Sequence, residues 1–213
     1  LASDTGTPGD GVTSDTTVNV GGLEPGATWE YSTDGGTSWT TGSGTSFELD
    51  PDTSYADGDI VVRQTDAAGN TSAEGELDGA VSTDGVVPGL LAAGLEHDLG
   101  SSGSDGITND GTVVITGGLE SGASWQYTTN GGTSWNVGTG TSFDLTPGTY
   151  AAGAVQLRQV DGAGNVGTAT PLGAITIDVT PPAAPTAALA SDTGTPGDGV
   201  TSDTTVNVGG LEP

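Results

Sequence analysis

Short apolar alternations, a few residues each, recur along the chain between clusters of Gly, Asp, Thr and Pro. Thr16–Val20 (TTVNV) alternates with the two-residue period of a half-buried strand. A Gly/Pro turn over Gly21–Gly26 follows, then a second strand at Thr28–Thr33 (TWEYST). Asp34–Gly36 (DGG) supplies the positive-φ residues of a tight hairpin, and Thr37–Thr40 returns as its partner. Thr45–Leu49 (TSFEL) reads as a further strand before a Pro-bearing loop, and Gly58–Thr65 (GDIVVRQT) as the most apolar one. The loop Asp66–Asn70 (DAAGN) and a last strand near Leu77–Ser82 complete the unit. About seven short strands with turn signals every 8–12 residues predict an all-β, Ig-like sandwich. No stretch shows helical periodicity or a membrane-spanning apolar run.

The pattern then repeats. Trp29 aligns with Trp125, Trp39 with Trp135, Phe47 with Phe143, Tyr55 with Tyr150, Arg63 with Arg158 and Asn70 with Asn165. The unit is therefore roughly 95 residues, the size of one small β domain. Residues 1–25 also recur letter for letter as residues 189–213, which marks the chain as a window on a longer tandem array. We expect three parts: residues 1–83, a domain lacking its leading strand; residues 84–177, a second domain; and residues 178–213, the N-terminal part of a third. The leading strands are expected near Asp84–Leu95 and Asp178–Leu189.

Charge narrows the partners. The chain carries 28 acids against two arginines and one histidine, a formal net charge of −26. Phosphate recognition needs a basic face, so nucleic acid is excluded as a partner, and an anionic membrane surface with it. Self-repulsion of this size calls for cations or high salt. Cysteine is absent, so disulfides cannot staple these small cores, and a metal becomes the leading substitute.

Each opening is rich in acids: Asp4, Asp10 and Asp15, then Asp98, Asp105 and Asp110, then Asp192, Asp198 and Asp203. Carboxylates on flexible Gly/Thr loops suit calcium, which takes six to eight oxygens; the spacing is not that of an EF-hand, and turn-capping is the alternative use. Asp66 and Asn70, with Asp161 and Asn165, end a strand, while Asp84 and Asp178 precede a linker proline. A cation shared by such a loop, the linker and the next domain's opening would fix a hinge. The same loops also suit Asx-turns.

The segment Ser32–Trp39 (STDGGTSW) fits the form of an Asp-box hairpin, and Thr128–Trp135 (TTNGGTSW) is its diverged copy. Arg63 and Arg158 sit mid-strand, where each can pair with an acid across the sheet. Trp29, Tyr31 and Trp39 are core anchors or, alternatively, a sugar-binding face. With no Cys or Lys and a single His97, nucleophile–base pairs cannot be assembled; no catalytic residue is expected and the chain reads as a non-enzyme.

The opening DTGTPGDGVTSD, the DAAGN or DGAGN loop and the junction IDVTPP at Ile177–Pro182 together resemble the bacterial Ig-like domains strung in tandem along giant RTX- and Bap-type surface adhesins and biofilm-associated proteins. The first junction departs from that pattern, reading STDGVVP at Ser82–Pro88. The resemblance implies a secreted, extracellular stalk at the cell surface, stiffened by calcium, whose partners are neighbouring repeats and homotypic fibre or matrix contacts. Two further classes stay open: a fibre subunit assembling by strand complementation, and a carbohydrate-binding module. Halophilic adaptation without specific metal sites is a third explanation of the charge.

Overall fold

The computed structural model describes residues 1–211; Glu212 and Pro213, the end of the expected third domain and of the repeated opening, lie outside the described residues. The chain divides into two compact units, Leu1–Ile177 and Asp178–Pro213. It is all-β, and the larger unit holds two Ig-like sandwiches.

In the first sandwich, β1 (Val12–Thr13), β2 (Thr17–Asn19), β3 (Thr28–Ser32), β4 (Thr40–Thr41), β5 (Ser46–Glu48), β6 (Ser54–Tyr55), β7 (Val61–Thr65), β8 (Gly75–Glu76) and β9 (Val81–Thr83) follow in order. One layer is the four-stranded sheet β4-β3-β7-β8. The other is built from β1-β9-β6 and β2-β5. The inward positions of these short alternating strands, Val18, Trp29, Phe47, Leu49, Tyr55, Ile60 and Val81, form one apolar core. Tyr31 stacks on Phe47 with ring centroids 4.0 Å apart.

The second sandwich repeats the plan with a leading strand. It comprises β10 (Ala92–Leu95), β11 (Ile107–Thr108), β12 (Thr112–Gly117), β13 (Ser124–Thr128), β14 (Asn136–Val137), β15 (Ser142–Asp144), β16 (Gly148–Tyr150), β17 (Gln156–Val160), β18 (Thr170–Pro171) and β19 (Ile175–Ile177). Its core gathers Leu91, Val113, Trp125, Leu145, Val155, Leu157 and Ile175. β10 pairs antiparallel with β12, and the Glu96 N–H donates to the Thr112 carbonyl at 2.8 Å. In the first sandwich the matching bond, Ala2 N–H to the Thr17 carbonyl at 2.8 Å, is present at the start of the chain.

In the smaller unit, β20 (Thr186–Leu189) and β21 (Val206–Gly209) pair antiparallel.

Three details differ from the sequence expectation. The acid-rich opening, read as loop, contains β1, which pairs in parallel with β9 in the register Val12 to Ser82. The Pro-bearing loop contains β6, paired with β9. The hairpin partner of β3 starts only at Thr40, because Asp34 holds Ser38 in the turn: Asp34 Oδ1 accepts from the Ser38 amide at 2.8 Å and Oδ2 from its hydroxyl at 2.6 Å.

Candidate functional site

Each acid of the openings ties down nearby backbone. Asp10 accepts from the Val12 amide at 2.9 Å, Asp15 from Thr17 at 2.9 Å, and Asp4 Oδ2 from Gly9 at 2.6 Å. In the second repeat Asp98 accepts from Gly106, Asp105 from Ile107 and Asp110 from Thr112, each at 3.0 Å. Asp192, Asp198 and Asp203 serve Gly197, Val200 and Thr205 in the same way. Those two residues on, from Asp10, Asp15, Asp105, Asp110, Asp198 and Asp203, are Asx-type turns, while Asp4, Asp98 and Asp192 close longer loops. Hydrogen bonds from Thr112, with a smaller contribution from His97, hold the Asp110 carboxyl below its ordinary range, and those from Thr205 do the same for Asp203.

A threonine organises each opening. Thr13, fully buried, donates its hydroxyl to the Ser3 carbonyl at 3.1 Å and accepts from the Thr5 and Asp15 amides. Thr108 repeats this with the His97 carbonyl and the Leu99 and Asp110 amides. Thr201 repeats it with Ser191, Thr193 and Asp203. The hub fixes residue equivalence: Thr5 matches Leu99, and Ser14 matches Asn109.

The loop Asp161–Asn165 of the second sandwich seats on the opening of the first. The Thr5 hydroxyl donates to the Ala163 carbonyl at 2.5 Å, and the Ser14 amide, which donates to Thr5 Oγ1 at 2.7 Å, also reaches that carbonyl at 3.2 Å. The Thr7 amide reaches the Gly162 carbonyl at 3.3 Å. Asn165 Nδ2 donates to the Asp84 carbonyl of the linker at 2.8 Å, and Ala163 is 0% exposed. Backbone meets backbone here only because Gly6 and Gly164, both at positive φ, lack side chains: a Cβ on Gly6 would fall on the Gly162 carbonyl, and one on Gly164 would crowd Gly6 and Thr5. The linker is anchored as well. Pro88 is buried against Gly167, and the fully buried Gln159 donates to the Gly89 and Gly118 carbonyls at 2.8 and 2.9 Å.

A loop, a linker and an opening thus do converge, with one difference from expectation: the opening belongs to the preceding repeat, not the next one. Asp84, Asp161 and Asn165 gather at this joint. Asp66 and Asn70 do not; they close their own loop, with Asn70 Nδ2 on Asp66 Oδ2 at 2.8 Å. That bond, the Asn70 amide and the Ala68 amide hold the Asp66 carboxyl below its usual range. Asp98, Asp105 and Asp110 lie in the second opening, and Asp178 serves the Thr180 amide. Among the described residues, no three His, Cys, Asp or Glu side chains are grouped to hold a metal. What the openings share is one carboxylate oxygen, Oδ1 of Asp4, Asp98 and Asp192, shielded from solvent without a hydrogen-bond partner.

The remaining motifs are structural. Arg63 pairs with Glu30 at 2.6 Å and lies 3.8 Å over the Trp39 ring. Arg158 instead reaches Gln126 at 2.9 Å, since the second repeat has no acid there, and lies 4.0 Å over Trp135. Of the aromatics read as a possible sugar face, Trp29 is buried at 6% exposure, Tyr31 stacks on Phe47 and Trp39 has Arg63 over its ring.

The Asp34 hairpin yields a pH prediction. Hydrogen bonds from the Ser38 side chain and amide, then from Ser32, hold the Asp34 carboxyl down from 3.8 to about 2. A depressed carboxyl stabilises the fold above its unfolded value, and that contribution disappears as pH falls through the folded value. As pH falls from 3.8 to about 2, the protection of the Asp34–Trp39 amides relative to intrinsic exchange should fall. The Asn130 hairpin, where an amide replaces the acid and bonds Ser134 at 3.0 Å, should not change. Equal acid sensitivity of the Trp39 and Trp135 indole N–H signals would refute the assignment.

Comparison with known proteins leaves the family unassigned. No protein-family profile matches the chain, and no curated protein matches it. Among solved structures, it is similar to a crystal structure of the FN1–FN3 domains of chicken CNTN1, at 12% identity with a TM-score of 0.46. The alignment covers 81% of this chain and 66% of that one, so the chain spans just under two thirds of that structure.

Proposed function

We propose that this chain is a spacer segment of an extracellular cell-surface array, a stalk of the adhesin or biofilm-matrix kind, whose work is to hold successive sandwiches in a fixed relation. The observation that carries this reading is the joint between the two sandwiches. Its direct bonds all end on main-chain carbonyls, donated by the Thr7 and Ser14 amides, the Thr5 hydroxyl and Asn165 Nδ2, with glycines where the backbones meet. Such a contact transmits load from one repeat to the next and forms no cleft for chemistry. The surface excess of acids keeps long arrays soluble and apart. Pulling single molecules built from several copies of residues 1–188 tests the proposal: a spacer gives equally spaced unfolding events and a long persistence length, whereas a chain that behaves as freely jointed sandwiches contradicts it.

Calcium enters this proposal through the solvent-shielded Oδ1 of Asp4, Asp98 and Asp192. A desolvated carboxylate oxygen without a partner is unfavourable, and a cation supplies one. Because no three acid or imidazole side chains gather there among the described residues, most of the ion's other ligands would be hydroxyls and backbone carbonyls, which calcium accepts. At matched ionic strength, calcium should raise Tm above that in sodium with chelator, and Asp4→Asn with Asp98→Asn should abolish the difference. Equal Tm values in the two solutions would remove calcium and leave general charge screening.

A further inference from the structure

The joint inside the larger unit defines a knob and a seat: the Asp161–Asn165 loop and the opening around Thr5, Thr13 and Ser14. The first sandwich has the same knob at Asp66–Asn70 and the second sandwich the same seat around Leu99, Thr108 and Asn109. Neither is filled. Ala68, the counterpart of the fully buried Ala163, is exposed. The seat's Leu99 and Ile107 are 47% and 54% exposed. The Ser101 and Asn109 amides, counterparts of Thr7 and Ser14, find no hydrogen-bond partner among the described residues. Gly100 holds φ +144 with only the Ile107 carbonyl near it, leaving room where Gly6 meets a carbonyl.

The unfilled pair also differs from the filled one in a coordinated way. In the filled joint a polar seat, Thr5 and Ser14, meets a loop with Gly162. In the unfilled pair Thr5 is replaced by Leu99 and Gly162 by Ala67, so both sides gain apolar surface together. Repeats of the first type follow repeats of the second, because Leu189 onward restates the first opening.

We propose that the surface formed by Leu99–Ser101 and Ile107–Asn109 is the docking site for the Asp66–Asn70 loop of a further copy of the first repeat. The array then alternates two chemically distinct joints: a hydroxyl-bonded one after each first-type repeat and an apolar one after each second-type repeat. Ala67 and Ala68 cover Leu99 and Ile107, removing apolar surface from water. The Ala67 and Ala68 carbonyls accept from Ser101 and Asn109.

This inference rests on the spacer reading, and the two are separable by experiment. The full chain is compared, by amide hydrogen exchange, with one in which residues 1–188 precede the full chain, so that a complete first-type repeat follows the second. In the longer chain the amides of Ser101 and Asn109 in the leading block should become at least about tenfold slower to exchange, the scale of one hydrogen bond that must open locally. Replacing Ala68 of the following block by Asp should return them to the rate seen in the full chain, with Thr7 and Ser14 still protected. If Thr7 and Ser14 are protected but Ser101 and Asn109 exchange alike in both chains, the second joint does not exist and the spacer reading stands. If all four are unprotected, both fail. Retained protection in the Ala68→Asp variant would show that a different segment fills the seat.

Discussion

Trp125→Ala is expected to destabilise the second sandwich by about 3–5 kcal/mol, the range for removing a fully buried tryptophan. Trp125 is 3% exposed, sits in the core with Leu91, Val113, Leu145 and Leu157, and tilts against Tyr127 and Phe143 at 5.9 and 6.0 Å. Its indole N–H donates to the Gly140 carbonyl at 2.8 Å. The ring lies directly on Gly138, where a Cβ would overlap it. A domain of this size has a total stability on the order of 5–15 kcal/mol, so a large share of the margin disappears. Denaturant unfolding followed by NMR should show the second sandwich melting early while the Trp29 region persists. Gly138→Ala should act in the same direction from the other side of the ring, by overpacking. A loss below about 1 kcal/mol in Trp125→Ala would mean that the core is less tightly packed around this ring than described.

Gly6→Ala should separate the two sandwiches without unfolding either. The substitution adds a methyl on the Gly162 carbonyl and places a side chain at φ +80. Strain at positive φ alone costs about 1 kcal/mol, so the informative control is Gly9→Ala: its φ is +89 with nothing within 4 Å. Gly9→Ala should leave the joint intact. Gly6→Ala should expose Ala163, release the Thr7 amide to exchange, and give the sandwiches separate rotational correlation times in NMR relaxation. The core signals of Trp29 and Trp125 should stay in place. If Gly6→Ala and Gly9→Ala behave alike, the close approach at Gly6 does not hold the joint.

The strands were legible because each carries its own signal. The period-two alternation of Thr16–Val20, the Asp-Gly-Gly turn and the aromatics in matching positions of both repeats are local features, and local backbone preference decides them. β1 was missed because its two residues, Val12 and Thr13, lie among Gly and Asp; they become a strand only because β9 lies alongside. The acids were read for their charge, and most act through single turn-capping bonds, which span two to five residues and leave no mark of metal or turn in composition alone.

Repeat length, β-sandwich architecture, aromatic core and the exclusion of basic-surface functions follow from residue pattern and charge, because periodicity, turn chemistry and net charge are properties of neighbours along the chain and of totals over it. The joint is of another kind. Thr5 and Ala163 touch across 158 positions, and no local preference of either residue announces the contact. It arises when folded edges place two glycine-flanked loops face to face, so tertiary structure alone decided that the DGAGN loop meets the preceding opening, that Ala163 is buried, and that Ala68 and Leu99 are left exposed.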